Sequence, residues 1–160
     1  MVDKIYQEAV NNRTQYHSEQ IGKIEERRNR KPVWSEPKYL FYKKRGNVQF
    51  SPTGISKGAI GVYRIIYKPT METMSIGCGV AGDRVIRHRR VFLNKGKVER
   101  SANSYSGSQT GTLMYQLDRH RKNWFFNWCF IGNKSLAEKY EDLLIKYEKP
   151  LFNNESMGGK

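Results

Sequence analysis

Four side chains in this 160-residue chain stand out for the chemistry that their types and spacing allow: Tyr63, Arg84, His88 and Glu141. Glu141 lies in SLAEKYEDLLIKYEKP, where Leu136, Tyr140, Leu143, Leu144 and Tyr147 recur at helical spacing. A turn of about 100° per residue puts Glu138 and Asp142 on the solvent side and Glu141 at the border of the stripe, near Ala137 and Leu144. A carboxylate there could hold a hard cation such as Mg2+, which takes one or two carboxylates plus substrate phosphate. It could equally pair with one of the many cations nearby. Arg84 and His88 are four residues apart, so on a helix they stack on one side, away from Ile86 and Leu93. An arginine there binds phosphate or stays solvated, and His88 taken singly reads as a surface histidine. Tyr63 follows a glycine closely in GVYRIIYKPTMETMSIGCG. A tyrosine in such a strand ordinarily just packs.

The elements that must position these residues are legible in outline. Val62–Tyr67 and Met74–Gly77 flank a proline-containing turn, Lys68–Thr73, and predict a hairpin. AGDRVIRHRRVFLNKGK carries Val85, Ile86, Phe92 and Leu93 as the buried face of a helix. SANSYSGSQTG (101–111) reads as a loop, and a short helix follows at about 112–120. NWFFNWCFI (123–131) is a strongly apolar strand. The last helix opens on a capping box, Ser135 to Glu138, and ends at the breaker Pro150. The order is strand, strand, helix, helix, strand, helix. Upstream, residues 3–30 favour helix, with sparse apolar positions Ile5, Ala9, Val10, Ile21 and Ile24. Such a helix is mostly solvated or buries its narrow stripe against a partner subunit.

Composition narrows the partner. The chain has 29 Lys and Arg against 15 Asp and Glu, a formal charge of +14. That charge favours a polyanion, and nucleic acid fits best. No long apolar segment or basic amphipathic helix points to a membrane. MVDKIYQEAVNNR lacks an apolar signal core, so the chain reads as cytoplasmic. Cys78 and Cys129 sit far apart in apolar, strand-like contexts and read as buried thiols. Residues 82–122 hold ten cations against three anions, half the total excess, which suits a groove that clasps a duplex. RNRKPVWSEPKYLFYKKRGNVQFSPTG adds Lys43, Lys44 and Arg45 for phosphates and Tyr39, Phe41 and Tyr42 for stacking or packing. The chain shows no hydrolase elbow and no GxxxxGK phosphate loop, and the glycines of GISKGAIG precede a strand instead of opening a helix.

Taken together, these residues resemble the GIY-YIG nuclease family. The first element looks like Gly61-Val62-Tyr63 and the second like Ser75-Ile76-Gly77. The family's next helix carries an arginine and, four residues on, a histidine or tyrosine, matched by Arg84 and His88. Its last helix carries a glutamate about nine residues before a Pro-x-aromatic-Asn sequence, matched by Glu141, Pro150, Phe152 and Asn153. The resemblance covers about residues 60–154, and the branch it most resembles is the small type II restriction endonucleases. It implies an α+β fold with a small three-stranded, mainly antiparallel sheet flanked by helices. Residues 1–59 would be an N-terminal helical and basic arm for DNA contact or dimerisation, and 155–160 a tail.

The resemblance also implies roles. Tyr63 would be the general base, Arg84 would bind the scissile phosphate, His88 would orient the water or phosphate or support Tyr63, and Glu141 would anchor Mg2+, with Mn2+ as a substitute. The second motif's tyrosine is Ser75 here, which can bond a water or phosphate but cannot become a phenolate, so the weight falls on Tyr63. Its pKa must fall for that role, and Lys68 is a nearby cation that could lower it. DNA contacts are expected from Lys43, Lys44, Arg45, Lys68, Ser75, Arg87, Arg89, Arg90 and Asn153. Asn103, Ser104, Ser108 and Gln109 offer base-edge donors and acceptors. The substrate implied is double-stranded DNA cut at a specific site, and a palindromic site implies a homodimer. A homing or structure-specific repair nuclease on the same core, and a non-enzymatic basic nucleic-acid-binding protein, are the rival readings.

Overall fold

The computed structural model describes residues 2–14, 32–44, 47–49, 55–98 and 109–153. Helix α1 (Val2–Thr14) is followed by β1 (Lys38–Tyr39) and a small hairpin, β2 (Tyr42–Lys44) and β3 (Asn47–Gln49). The long hairpin is β4 (Ile60–Tyr67) and β5 (Glu72–Val80). Helices α2 (Ala81–Leu93) and α3 (Thr110–Leu117), strand β6 (Trp124–Phe130) and helix α4 (Lys134–Glu148) complete the order. A 3₁₀ turn, Arg121–Asn123, leads into β6, and another, Leu151–Asn153, closes the described chain. The fold is α+β.

The main sheet has four strands rather than the expected three, in the order β1-β6-β4-β5 and antiparallel throughout. The extra strand is the two-residue β1, which no periodicity announces. It exists because the segment before it runs along β6. Ser35 N–H donates to the Trp128 carbonyl at 2.8 Å, and Leu40 N–H to the Trp124 carbonyl at 2.9 Å. Tyr39 packs edge-on against Phe125 but stays exposed, whereas Phe41 packs against Phe92 at the rim of the α2 core. Arg64 of β4 lies 3.8 Å over the Trp34 ring and forms a two-pronged ion pair with Glu148 at the end of α4. Trp34 also donates its indole N–H to the Tyr140 hydroxyl at 3.1 Å.

Strand alternation sends neighbouring residues to opposite faces, and each face has its own core. Val62, Ile76 and Cys129 point to α1 and α4, where they meet Leu136, Ala137, Tyr140 and Leu144. Tyr63, Ile65, Met74, Trp124 and Phe126 point the other way, to Val85 and Phe92 of α2 and Met114 of α3. Helix α1 buries Ile5, Tyr6, Ala9 and Val10 against this chain's own α4. This corrects the expectation of a solvated or partner-bound helix, because an apolar stripe four residues apart is enough for one helix-helix contact. Residues 15–31, including Ile21 and Ile24, lie outside the described residues.

A chain beginning at residue 15 is therefore expected to lose its cooperative fold. Burial of an Ile, Val or Tyr side chain contributes roughly 1.5–3 kcal/mol. Three such losses approach the whole stability of a small domain, about 5–15 kcal/mol. A thermal melt by circular dichroism that stays as sharp and as high as the full chain's would show α1 to be dispensable.

The last helix starts one residue before the expected cap. Asn133 is the N-cap, its Oδ1 accepting from Leu136 N–H at 3.0 Å, so the Ser135–Glu138 capping box is not what opens it. Tyr147, placed on the apolar stripe, is exposed, while Leu136, Tyr140 and Leu144 are buried as expected.

Candidate active site

Tyr63 sits in mid-strand, paired with Gly77 on β5 and Trp128 on β6. A Cβ built at Gly77 would stand 2.3 Å from the Tyr63 hydroxyl and 2.4 Å from Cζ. The phenol thus lies directly across Gly77, and only a glycine leaves it that space. Tyr63 Oη is 2.7 Å from His88 Nε2, and both side chains are buried. His88 reaches it because Ala81, Val85, His88 and Phe92 form the inner stripe of α2. This corrects the surface placement of His88.

The two partners are both held neutral. Burial, reinforced by the charges of Arg84 and Arg87, lowers the His88 pKa to about 3. Burial also pushes the Tyr63 phenol far above its ordinary value, against the opposing charge of Arg84. The expected fall in the Tyr63 pKa is therefore overturned. Lys68 has no part in it: its ammonium donates to the Tyr39 hydroxyl at 2.9 Å in the hairpin turn. The ring nitrogens of His88 are expected to show no titration between pH 8 and pH 5 in nitrogen-detected NMR. A midpoint near 6.5, the value of an exposed imidazole, would contradict the buried placement.

The arrangement continues around the free edge of the sheet. Cys78, one residue beyond Gly77, turns to the opposite face, where it packs against the α4 core. Glu141 is half-buried. Burial raises its pKa to about 7; the neighbouring Cys78 thiol works against this, the charges of Asp142 and Glu138 with it, and Arg84 against it. The exposed Arg84 lies beside Gly79, whose φ of +116° suits glycine; a Cβ there would sit 3.6 Å from the arginine Nε. The charge of Arg84 acts on Tyr63, Cys78, His88 and Glu141 alike. Tyr63 and His88 on one face and Cys78 and Glu141 on the other thus all feel the charge of Arg84, which lies beside Gly79.

Other expected contacts fall elsewhere. Ser75 is buried, its hydroxyl 3.2 Å from that of Thr110, so it fastens α3 to β5 and does not face a ligand. Arg89 is buried too, 5.9 Å from the Phe126 ring centre, on the inner side of α2 instead of the surface. Asn153 clamps β5: its Oδ1 accepts from Ile76 N–H at 2.8 Å and its Nδ2 donates to the Ile76 carbonyl at 2.9 Å. That bond pair occupies the amide as a surrogate strand and ties the end of α4 to the strand beneath the phenol. Arg87, Arg90 and Gln109 are exposed. Lys43 and Lys44 lie in β2 with only their backbone described, and Arg45, Asn103, Ser104 and Ser108 lie outside the described residues. Cys78 is the member that sequence reasoning missed, although its odd-even offset from Tyr63's partner Gly77 would have sent it toward the glutamate helix.

Among the described residues, no three His, Cys, Asp or Glu side chains converge to hold a metal ion, and no helix is long and apolar enough to cross a membrane. No protein-family model, no curated protein and no solved structure matches the chain.

Proposed function

We propose that this chain is a GIY-YIG-type nuclease that hydrolyses phosphodiester bonds of double-stranded DNA with Mg2+ or Mn2+. The observation that carries the reading is the 2.7 Å Tyr63–His88 contact, with Arg84 and Glu141 gathered to it around Gly77–Gly79. These are the residues of the family's motifs, and they come from three separate elements.

A phosphodiester resists attack because its charge repels nucleophiles and its leaving alkoxide is poor. Arg84, exposed at the sheet edge, would bind the phosphate and stabilise the charge added at phosphorus, a role suited to a permanently charged planar donor. The Tyr63 hydroxyl would donate to His88 Nε2 and turn its free lone pair to the attacking water. As the water oxygen bonds to phosphorus, its proton passes to Tyr63 Oη, the phenol proton passes to Nε2, and the bond from phosphorus to the 3′-oxygen breaks, the alkoxide leaving to take a proton from solvent. The phenol then never has to persist as a phenolate, which its burial opposes. The negative charge of the arriving phosphate offsets that of Arg84 and Arg87, which otherwise keep His88 from accepting a proton.

Glu141 fits a hard cation as a single oxygen donor, since one carboxylate with substrate phosphate oxygens is an ordinary Mg2+ set. Its raised pKa reflects buried negative charge that a cation would offset. Glu141 would hold the cation, which would supply Lewis-acid charge to the substrate phosphate. Site specificity and a homodimer belong to the same proposal, through the type II restriction branch. The cation excess of residues 82–122 and the exposed Arg87 and Arg90 suit a duplex beside the site.

The test is incubation of supercoiled plasmid with the full chain in Mg2+, Mn2+ or EDTA. Fixed-length bands with either cation and none with EDTA are expected. Cleavage confined to branched junctions would favour a structure-specific nuclease, and no cleavage of any DNA would overturn the reading. Tyr63→Phe keeps the ring over Gly77 and removes only the hydroxyl, and it is expected to slow single-turnover cleavage about 10²–10⁴-fold.

A further inference from the structure

The connection from α3 to β6 takes no part in the chemistry described so far. It carries four consecutive exposed basic residues, Arg119, His120, Arg121 and Lys122, and one acid, Asp118, holds the run in place. Asp118 Oδ1 accepts from the His120 backbone N–H at 2.8 Å and lies 2.8 Å from His120 Nδ1. Its Oδ2 accepts from the Tyr67 hydroxyl at 2.7 Å and from Asn123 Nδ2 at 2.9 Å. The Asp118 carbonyl takes the Trp124 indole N–H at 3.0 Å, and the Asn123 carbonyl takes Lys68 N–H at 2.8 Å. The turn is thus fastened to β4 and β6. Its one carboxylate is engaged inward, while its cations face solvent.

Those cations continue a path that begins beside the candidate site. On α2, Arg84, Arg87 and Arg90 recur along the exposed side over about 9 Å of helix. Phe92, near the end of α2, meets Tyr115 of α3 edge-on with ring centres 5.6 Å apart, and the Arg119 guanidinium lies 5.0 Å from the Tyr115 ring centre. Each strand of B-DNA presents a phosphate about every 3.4 Å along its axis, so a row of placed cations can meet several in succession. Tyr115, the ring along this path, is engaged by Phe92 and Arg119. That favours a duplex backbone over unstacked bases, which are bound on open aromatic faces.

We propose that the turn Arg119–Lys122 is a duplex-DNA contact, where Arg119, Arg121 and Lys122 bind backbone phosphates in continuation of the α2 arginines and Asp118 sets the geometry of the turn. The inference deepens the proposed nuclease and rests on that reading for the choice of duplex DNA as the polyanion.

The experiment compares the full-length wild type with two double variants that each remove two exposed cations. Arg121→Gln/Lys122→Gln alters the turn, and Lys139→Gln/Lys146→Gln alters α4, on the opposite face of the sheet. Arg119 is left in place because it packs on Tyr115. Binding of a labelled 20-base-pair duplex, about the span of a small footprint, is titrated in EDTA across about 50–200 mM salt, with melting temperature recorded alongside. Each lost phosphate contact flattens the plot of log affinity against log salt by about 0.9, so the turn pair is expected to lose about 1.8 in slope. The α4 pair is expected to keep the wild-type slope, and neither pair to move the melting temperature. A wild-type slope in the turn pair would overturn the inference. Equal losses in both pairs would overturn it too, because net charge alone would then explain the binding. So would a turn pair that loses more affinity for the single strand, or for phosphatidylserine vesicles, than for the duplex. A slope loss confined to the turn pair in a chain that cuts no DNA would leave the inference standing and remove the proposed nuclease. Cleavage by the wild type with both pairs binding alike would do the reverse.

Discussion

Glu141→Ala is expected to lower DNA cleavage about a thousandfold or more while leaving metal-free DNA binding close to that of the wild type. On the proposed mechanism a cation held by Glu141 would supply several kcal/mol at the transition state, and each 1.36 kcal/mol is about tenfold in rate. On the same proposal DNA affinity would come instead from the cations of 82–122, which the substitution does not touch. Removing a half-buried acid with a raised pKa also relieves buried charge, so the fold is expected to melt no lower. Single-turnover cleavage and a salt-matched gel shift separate the two quantities. Near-normal cleavage at saturating Mg2+ would take Glu141 out of the site.

Gly77→Ala is expected to cost as much cleavage as loss of the Tyr63 hydroxyl and to lower the melting temperature as well. The added methyl would occupy the space where the phenol lies, 2.3 Å from its hydroxyl and 2.8 Å from Cε1. Tyr63 has nowhere to retreat. It is buried on the α2 face and bonded to His88, and Gly77 is locked between the Tyr63 pairing and the Ile76 clamp of Asn153. Overpacking of this kind typically costs about 1–3 kcal/mol, and displacement of the hydroxyl by even an ångström spoils proton transfer. Cleavage and a thermal melt of Gly77→Ala beside Tyr63→Phe decide it. An alanine variant that cuts at the wild-type rate would show that the phenol does not need its seat on the glycine.

Much of this arrangement was open to reading from the chain. The hairpin and the order of the four following elements were legible because period-2 and period-3.6 patterns, prolines and glycines act within a few residues. The border position of Glu141 on its helix was legible for the same reason. His88 was half legible: the spacing 81, 85, 88, 92 is a buried stripe, but an ionisable residue on such a stripe reads as solvent-facing until its partner is known. Arg89 and Ser75 misled in the same direction, since charge and polarity ordinarily mark a surface. Asn153 was legible as a motif position but not as a clamp, because the Ile76 amide it bonds lies 77 residues away.

Sequence alone was enough for the local elements, the strongly basic balance and the candidate chemistry of Tyr63, Arg84, His88 and Glu141, all consequences of residue type and short-range spacing. Tertiary structure decided which of those residues meet. Only the pairing of β4 with β5 puts a phenol on a glycine, and only the packing of α2 and α4 on opposite faces brings His88 and Glu141 to one edge of a sheet. Those pairings also buried Ser75 and Arg89, set Asn153 as a clamp on Ile76 and turned Cys78 to the α4 face. The physical reason is range: propensity and periodicity act along a few residues of chain. Burial, pKa and hydrogen-bond partners depend on whichever segment the fold lays alongside.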